Sequence, residues 1–208
     1  MTRPDISTAG EPGEVVRRKA ALRIEARARR DEIAPGERVA ASRAIETRLA
    51  SLPSLETAHV VHCYVGIGSE VVTEELLRGL LLRGQRVVCP RVNERGTLDH
   101  LEISQVESLV AGPIGLREPD AALARPFDLA EVDVMLIPAL AFNRAGYRLG
   151  YGRGYYDRAV EELAGHGRAT TVGLAFESQL VDELPREEHD QPVDLIVTEV
   201  QTIVTRAR

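Results

Sequence analysis

DVMLIPALAFNRAGYRLGYGRGYYDRAVEELAG, residues 133–165, carries the three signals from which the fold can be read. An apolar run, 133–142, reads as a buried strand. The glycine-rich stretch RLGYGRGYYDR, 148–158, follows, and a helix-like pattern begins at Tyr155. Gly150, Gly152 and Gly154 alternate, with Arg148 and Leu149 before them, Tyr151 and Arg153 between, and Tyr155, Tyr156 and Asp157 after. Strand, glycine loop and helix start bring backbone N–H groups and a positive helix end together, as an anion such as phosphate requires. No Gly-Lys-Ser/Thr closes the loop, and its spacing is not Gly-x-Gly-x-x-Gly, so it is neither a Walker loop nor a dinucleotide fingerprint. On residue types alone, a tight surface turn with solvated arginines is the alternative. The tyrosine pair favours binding, because two amphipathic rings beside bare backbone suit a flat ligand.

Working outward, apolar strands alternate with helical stretches. HVVHCYV, 59–65, reads as a buried strand; Gly66, Gly68 and Ser69 turn the chain, and Thr73 is placed to cap the helix EELLRGLLLR. QRVVCPRV is a second strand and TLDHLEI a weaker one, while 104–131 reads as irregular chain with room for a short helix. The strand 132–140 leads to the glycine loop, and ATTVGLAF returns after the helix that starts at Tyr155. A polar loop, 177–192, precedes the last strand DLIVTEV and a TIVT tail. Such alternation predicts an α/β fold: a single three-layer domain, residues 14–208, whose mostly parallel sheet is flanked by helices on both faces. Ligands then sit beyond the carboxyl ends of the strands, where the glycine loop and the turn 66–70 can face one cleft. Two helices come first, 14–31 and about 37–52, and residues 1–13 read as a disordered tail.

The bulk numbers exclude several classes. The 208 residues suffice for a sizeable core, and 44% hydrophobic with 28% charged is ordinary for a globular chain. A net charge of −6 argues against nucleic acid as a partner. No run approaches the ~18 apolar residues of a membrane span, and the N-terminus lacks a signal-peptide core. A cytoplasmic monomer acting on small molecules is the expectation. Cys63 and Cys89 lie in apolar strands and read as inert core thiols. His59 and His62 read as strand residues that pack or pair locally, and His189 as exposed loop.

Lys19 and Arg23 are four apart and share a helical face, which by itself is as consistent with solvent as with a ligand. Asp157, in the first turn of a helix, is stabilised there by the dipole and is also placed to bridge phosphates through magnesium. Asp190 lies in a loop after a strand. Glu70 suits either a helix cap or a ligand N–H.

PALAFNRAGYRLGYGRGYYDR resembles the signature of the 5-formyltetrahydrofolate cyclo-ligase (methenyltetrahydrofolate synthetase) family. The similarity extends to Lys19-x-x-Leu22-Arg23, to Glu70-Val-Val-Thr73, to GLREP around Glu118 and to LPREEHDQPVDLIVTE. It departs at Asn143, where the family often has Asp, and at Val72, where it often has an acid. The resemblance implies ATP- and magnesium-dependent cyclisation of 5-formyltetrahydrofolate to 5,10-methenyltetrahydrofolate through a phosphorylated formyl oxygen. Carried onto matching positions, it implies that Lys19, Arg23, Arg148, Leu149, Gly150, Tyr151, Gly152, Arg153, Gly154, Tyr155 and Tyr156 surround ATP. Of these, Lys19, Arg148 and Arg153 would act in catalysis. Asp157 and Asp190 would hold magnesium, and Val65, Glu70 and Tyr155 the folate. A folate- or nucleotide-binding protein without turnover, and a sugar-phosphate isomerase by fold analogy, are the competing readings; a pure folate binder needs no phosphate cradle, and the isomerase leaves Lys19 and Arg23 unexplained.

Overall fold

The computed structural model describes residues 12–112, 115–166, 169–187 and 190–205. In chain order, helices α1 (Pro12–Asp31), α2 (Pro35–Ala50) and α3 (Pro53–Glu56) precede strand β1 (Val60–Cys63). Helix α4 (Glu74–Leu82) leads to β2 (Arg86–Val92) and β3 (Leu98–Ile103), then to the short β4 (Leu109–Ala111), β5 (Arg117–Pro119) and β6 (Arg125–Pro126). β7 (Val134–Pro138), β8 (Ala141–Asn143) and β9 (Arg148–Leu149) run into the glycine loop and α5 (Tyr155–His166). β10 (Thr170–Leu174), β11 (Leu180–Val181), β12 (Leu195–Val197) and β13 (Thr202–Val204) follow.

Eight strands form one sheet in the order β13-β12-β10-β7-β1-β2-β3-β6. The five central strands pair in parallel and the outer three antiparallel, so the expected mostly parallel sheet carries antiparallel strands on both edges. Alternation along each strand sorts the core into two halves. Val61, Cys63, Val134, Leu136, Val172 and Leu174 face Ile45 and Leu49 of α2, Leu55 of α3, and Leu76, Leu77 and Leu80 of α4. On the opposite face, Val60, Met135, Ile137 and Ile196 meet Ala159, Val160 and Leu163 of α5. These are the three layers. Carboxylates pin the strand starts: Asp133 Oδ2 accepts from the amides of His59 and Val60 at 2.8 and 2.9 Å. Gly173 lies where a Cβ would meet the Phe142 ring at 2.5 Å, so β10 can pass under β8 only as glycine.

A smaller sheet, β11-β8-β9, stands beyond the carboxyl end of β7, and α1 lies across it. Leu22 and Ala26 of the helix meet Leu140, Ala141, Leu149 and Leu184. The buried positions of α1 are Val15, Lys19, Ala26 and Arg30, a helical stripe that includes two cations.

Several expectations need correction. Residues 1–11 of the expected tail lie outside the described residues, and Pro12 and Gly13 belong to α1. The strand expected over 132–140 is shorter, because the chain leaves the large sheet after Pro138 and restarts as β8. Residues 104–131 are not simply irregular: they contain the β4–β5 hairpin, β6 and single turns of 3-10 helix at 106–108 and 129–131. The polar loop 177–192 contains β11, which extends the small sheet. Thr73 occupies the N-cap position of α4 without a side-chain cap; its hydroxyl donates to the Tyr64 carbonyl and accepts from the Gly66 amide, both at 2.9 Å. His59 is exposed ahead of β1, whereas His62 is buried and pairs with His100. His189 lies outside the described residues. Cys63 and Cys89 are fully buried free thiols, as expected of core cysteines.

Candidate functional site

The glycine loop follows β9, at the carboxyl edge of the parallel sheet. Gly152 and Gly154 take φ of +90° and +65°, a backbone that L side chains rarely adopt, so the loop coils tightly before α5 starts at Tyr155. Helix α1 reaches this loop from the far end of the sequence. Arg23 Nε donates to the Gly150 carbonyl at 3.0 Å, and its guanidinium lies 3.3 Å from where a Cβ on Gly152 would stand. One turn earlier, buried Lys19 donates from Nζ to Glu187 Oε2 and Asp190 Oδ2, each at 2.7 Å. Asp190 also accepts from the Glu187 amide at 2.8 Å, which fixes the carboxylate toward the lysine.

Arg148 stands between the two acids picked out by sequence. It pairs with Asp157 Oδ1 and donates to the Gln191 carbonyl at 2.7 Å. Burial lowers the pKa of its guanidinium, against the opposing pull of Asp157 and Asp190, yet an arginine stays charged in any such setting. The Arg153 side chain is exposed and has no hydrogen-bond or ion-pair partner among the described residues. Tyr155 is half-buried with the Arg158 guanidinium 5.7 Å from its ring centroid, and Tyr156 packs against both halves of the core. Leu149 is buried against α1, so its part in the loop is its backbone.

On the other side of the loop is Glu70, 6% exposed. Its Oε2 closes its own turn by accepting from the Ile67 amide at 3.1 Å, so it is not a cap of α4. Its Oε1 accepts from the Tyr151 hydroxyl at 2.7 Å, and Tyr151 in turn accepts from Arg30 NH2 at 2.8 Å. Arg30, 3% exposed, also donates from Nε to Ser69 Oγ at 3.0 Å, and Ser69 donates to Asp31. Burial raises the Glu70 carboxyl above its ordinary value; the Tyr151 hydroxyl, the Ile67 amide and Arg30 oppose that shift. Burial, reinforced by Glu70, pushes the Tyr151 phenol up to about 12. Val65, 5% exposed, lies two residues past the end of β1, ahead of this turn.

The glycine loop thus brings Lys19, Arg23, Arg148, Asp157, Asp190 and Glu70 around one stretch of backbone. Sequence reasoning missed Arg30, Ser69 and Glu187. A signal for Arg30 existed: it stands 11 residues, about three turns, after Lys19 and therefore on the same face of α1. Glu187 lies in a loop with no period to single it out. Among the described residues, no three His, Cys, Asp or Glu side chains converge as a preformed metal cage. Asp157 and Asp190 do offer oxygen-only ligands of the kind magnesium takes alongside phosphate and water. Among the described residues, no helix is long and apolar enough to cross a membrane.

A three-layer α/β domain whose carboxyl-edge glycine loop is ringed by cations belongs to the class of α/β proteins that take ligands at the ends of parallel strands. Within that class the chain belongs to the 5-formyltetrahydrofolate cyclo-ligase family, whose model matches residues 15–199. It is 32% identical over 174 residues to the 5-formyltetrahydrofolate cyclo-ligase of Escherichia coli K12, covering 83% of this chain and 95% of that one. It is 36% identical over 152 residues to the cyclo-ligase of Mycolicibacterium smegmatis, covering 71% and 77%. The solution structure of Aquifex aeolicus 5,10-methenyltetrahydrofolate synthetase superposes with a TM-score of 0.80 at 30% identity, covering 91% of this chain and 94% of that one.

Proposed function

We propose that the chain is an ATP-dependent cyclo-ligase that converts 5-formyltetrahydrofolate to 5,10-methenyltetrahydrofolate with release of ADP and phosphate. The observation that carries this reading is the reach of α1 onto the glycine loop, with Arg23 donating to the Gly150 carbonyl and Lys19 buried beside it, 6% exposed. A formyl amide is a poor electrophile and its oxygen a poor leaving group. Transfer of the γ-phosphoryl group to the formyl oxygen answers both: the carbon becomes an iminium centre, and the oxygen departs as phosphate. Nitrogen 10 of the folate supplies the electron pair for the new C–N bond and gives up its proton.

Such a transfer is catalysed mainly by positioning and charge neutralisation. The amides of Gly150, Gly152 and Gly154 with Lys19, Arg23, Arg148 and Arg153 cradle the phosphates, and Tyr151 and Tyr156 border the nucleotide. Asp157 and Asp190 hold magnesium, which supplies charge neutralisation on the phosphates. Glu70 accepts from the pterin N–H groups, Tyr155 stacks beside the formyl-bearing ring, and Val65 lines that end. In the free protein Lys19 and Arg148 neutralise these same carboxylates, so phosphate and magnesium together offer each partner a replacement. The test is direct. Purified protein mixed with 5-formyltetrahydrofolate should develop methenyltetrahydrofolate absorbance only when magnesium and ATP are present, and Asp157→Ala should abolish most of it. Tight folate binding with no product at high enzyme and ATP would reject the reading.

A further inference from the structure

The Tyr151 hydroxyl occupies the mouth of a buried acid–base pair in a way that imitates a ligand. It donates to Glu70 Oε1 at 2.7 Å and accepts from Arg30 NH2 at 2.8 Å. Its own side chain is 45% exposed, although the two groups it bridges are 6% and 3% exposed. Arg30 has further capacity: NH1 is buried, donates no hydrogen bond, and stands 3.7 Å from Glu70 Oε1. A buried guanidinium N–H left without an acceptor is costly, and such an orphan calls for one. The rest of Arg30 is held in place, since Nε is bonded to Ser69 and the side chain lies within α1's buried stripe. The orphan therefore points to a ligand acceptor rather than to a loose side chain.

We propose that Arg30 is a substrate-binding residue that works with Glu70 as a pair. Together they read a lactam edge, an N–H donor beside a C=O acceptor, and the Tyr151 hydroxyl closes the pair until that edge displaces it. This rests on the reading that the pterin end of the folate lies at Glu70. A pterin presents this edge, with ring N–H and exocyclic amine facing a carboxylate and the neighbouring carbonyl facing a guanidinium. The phenol satisfies one donor and one acceptor of the pair. The lactam does the same and adds an acceptor within reach of NH1. The exchange preserves the bonds that are broken and gains one to a charged group.

Binding is measured by calorimetry without ATP, for 5-formyltetrahydrofolate and for its 4-amino analogue, in which an amine replaces the lactam carbonyl and the adjoining ring N–H is lost with it. Wild-type protein should prefer the lactam by at least about 10- to 100-fold, the range for one hydrogen bond to a charged group. Arg30→Gln, whose amide can turn an acceptor toward the amine, should lose about 10-fold or more of that preference, the carbonyl's share, and keep the share that the ring N–H makes at Glu70. Tyr151→Phe, which keeps the ring and removes the competing hydroxyl, should bind the lactam about 2- to 10-fold more tightly, the range of one net hydrogen bond. A folded Arg30→Gln protein with the preference intact, or Tyr151→Phe with unchanged or weaker binding, overturns the inference while leaving the proposed reaction standing. Should Arg30→Gln fail to fold, Tyr151→Phe decides alone. If wild-type protein binds neither compound, the placement of folate at Glu70 falls, and this inference with it.

Discussion

Burial of His62 ties the stability of this fold to pH. It lies in the middle of β1 on the α5 face of the sheet, fully buried, with Nε2 3.0 Å from His100 Nδ1. Its pKa is held well below the ordinary imidazole value, first by burial and then by His100; that of His100 is lowered by burial, against a smaller opposing pull from Asp99. The neutral pair shares one proton along the N···N line and is at ease above the unfolded pKa of about 6.5. Below it the unfolded chain takes up protons that the folded chain refuses, so stability falls as the pH drops toward the folded values. Glu70 acts oppositely, because its raised carboxyl lets the folded chain take up a proton first as the pH falls toward the acid range. The histidine contribution is isolated by comparison with His62→Leu, which keeps an apolar side chain in the same layer. Melting temperatures of the two proteins between pH 7.5 and 5.0 should diverge, the wild type losing stability more steeply. Parallel curves would show that the pair does not carry the acid sensitivity.

At the scale of elements, the site depends on one helix meeting one loop. Gly152 shows how closely they meet: its φ of +90° disfavours a side chain, and a Cβ there would stand 3.3 Å from the Arg23 guanidinium. Gly152→Ala should therefore cost about 1 kcal/mol in backbone strain and push Arg23 off the loop. The expected result is a KM for ATP raised severalfold with a melting temperature only a few degrees lower; an unchanged KM would separate Arg23 from the nucleotide. The same two elements show what could be read from sequence. The strand–glycine loop–helix order was legible because an apolar run, three glycines and a helix-forming stretch change periodicity abruptly within 133–165. β4, β5, β6 and β11 were not, since strands of two or three residues are too short to carry a period. The cations of α1 were legible as a face, yet Arg30 was not singled out. Its neighbours on the stripe, Val15 and Ala26, mark that face as buried, and only the fold shows that the charges on it have acids to meet, Glu187 and Asp190 for Lys19 and Glu70 for Arg30.

Over the whole molecule, the site is a closure of the chain on itself. Lys19 and Asp190 are 171 residues apart in sequence, Arg30 and Tyr151 are 121, and Tyr151 and Glu70 are 81. None of these pairs lies in a common element, so the ligand site exists only where α1 is docked on the small sheet. A ligand that binds this closed state and not the unfolded chain stabilises it by mass action, about 2.7 kcal/mol at a hundred times its Kd. Magnesium and ATP should accordingly raise the melting temperature and slow amide exchange most in α1 and in 148–158. Lys19→Met tests whether the lysine couples the helix to the nucleotide. It keeps much of the apolar stem but leaves Glu187 and Asp190 without their cation, so the free protein should melt lower. If Lys19 also moves onto the phosphates, the variant should bind ATP at least about tenfold more weakly, and at one fixed ATP concentration its stabilisation should shrink by about 1.4 kcal/mol. Exchange in α1 should then respond to ATP less than exchange in 148–158. A variant that melts lower yet gains as much from ATP as the wild type would leave Lys19 as a strut between helix and loop, with the phosphates held by Arg23, Arg148 and the glycine amides alone.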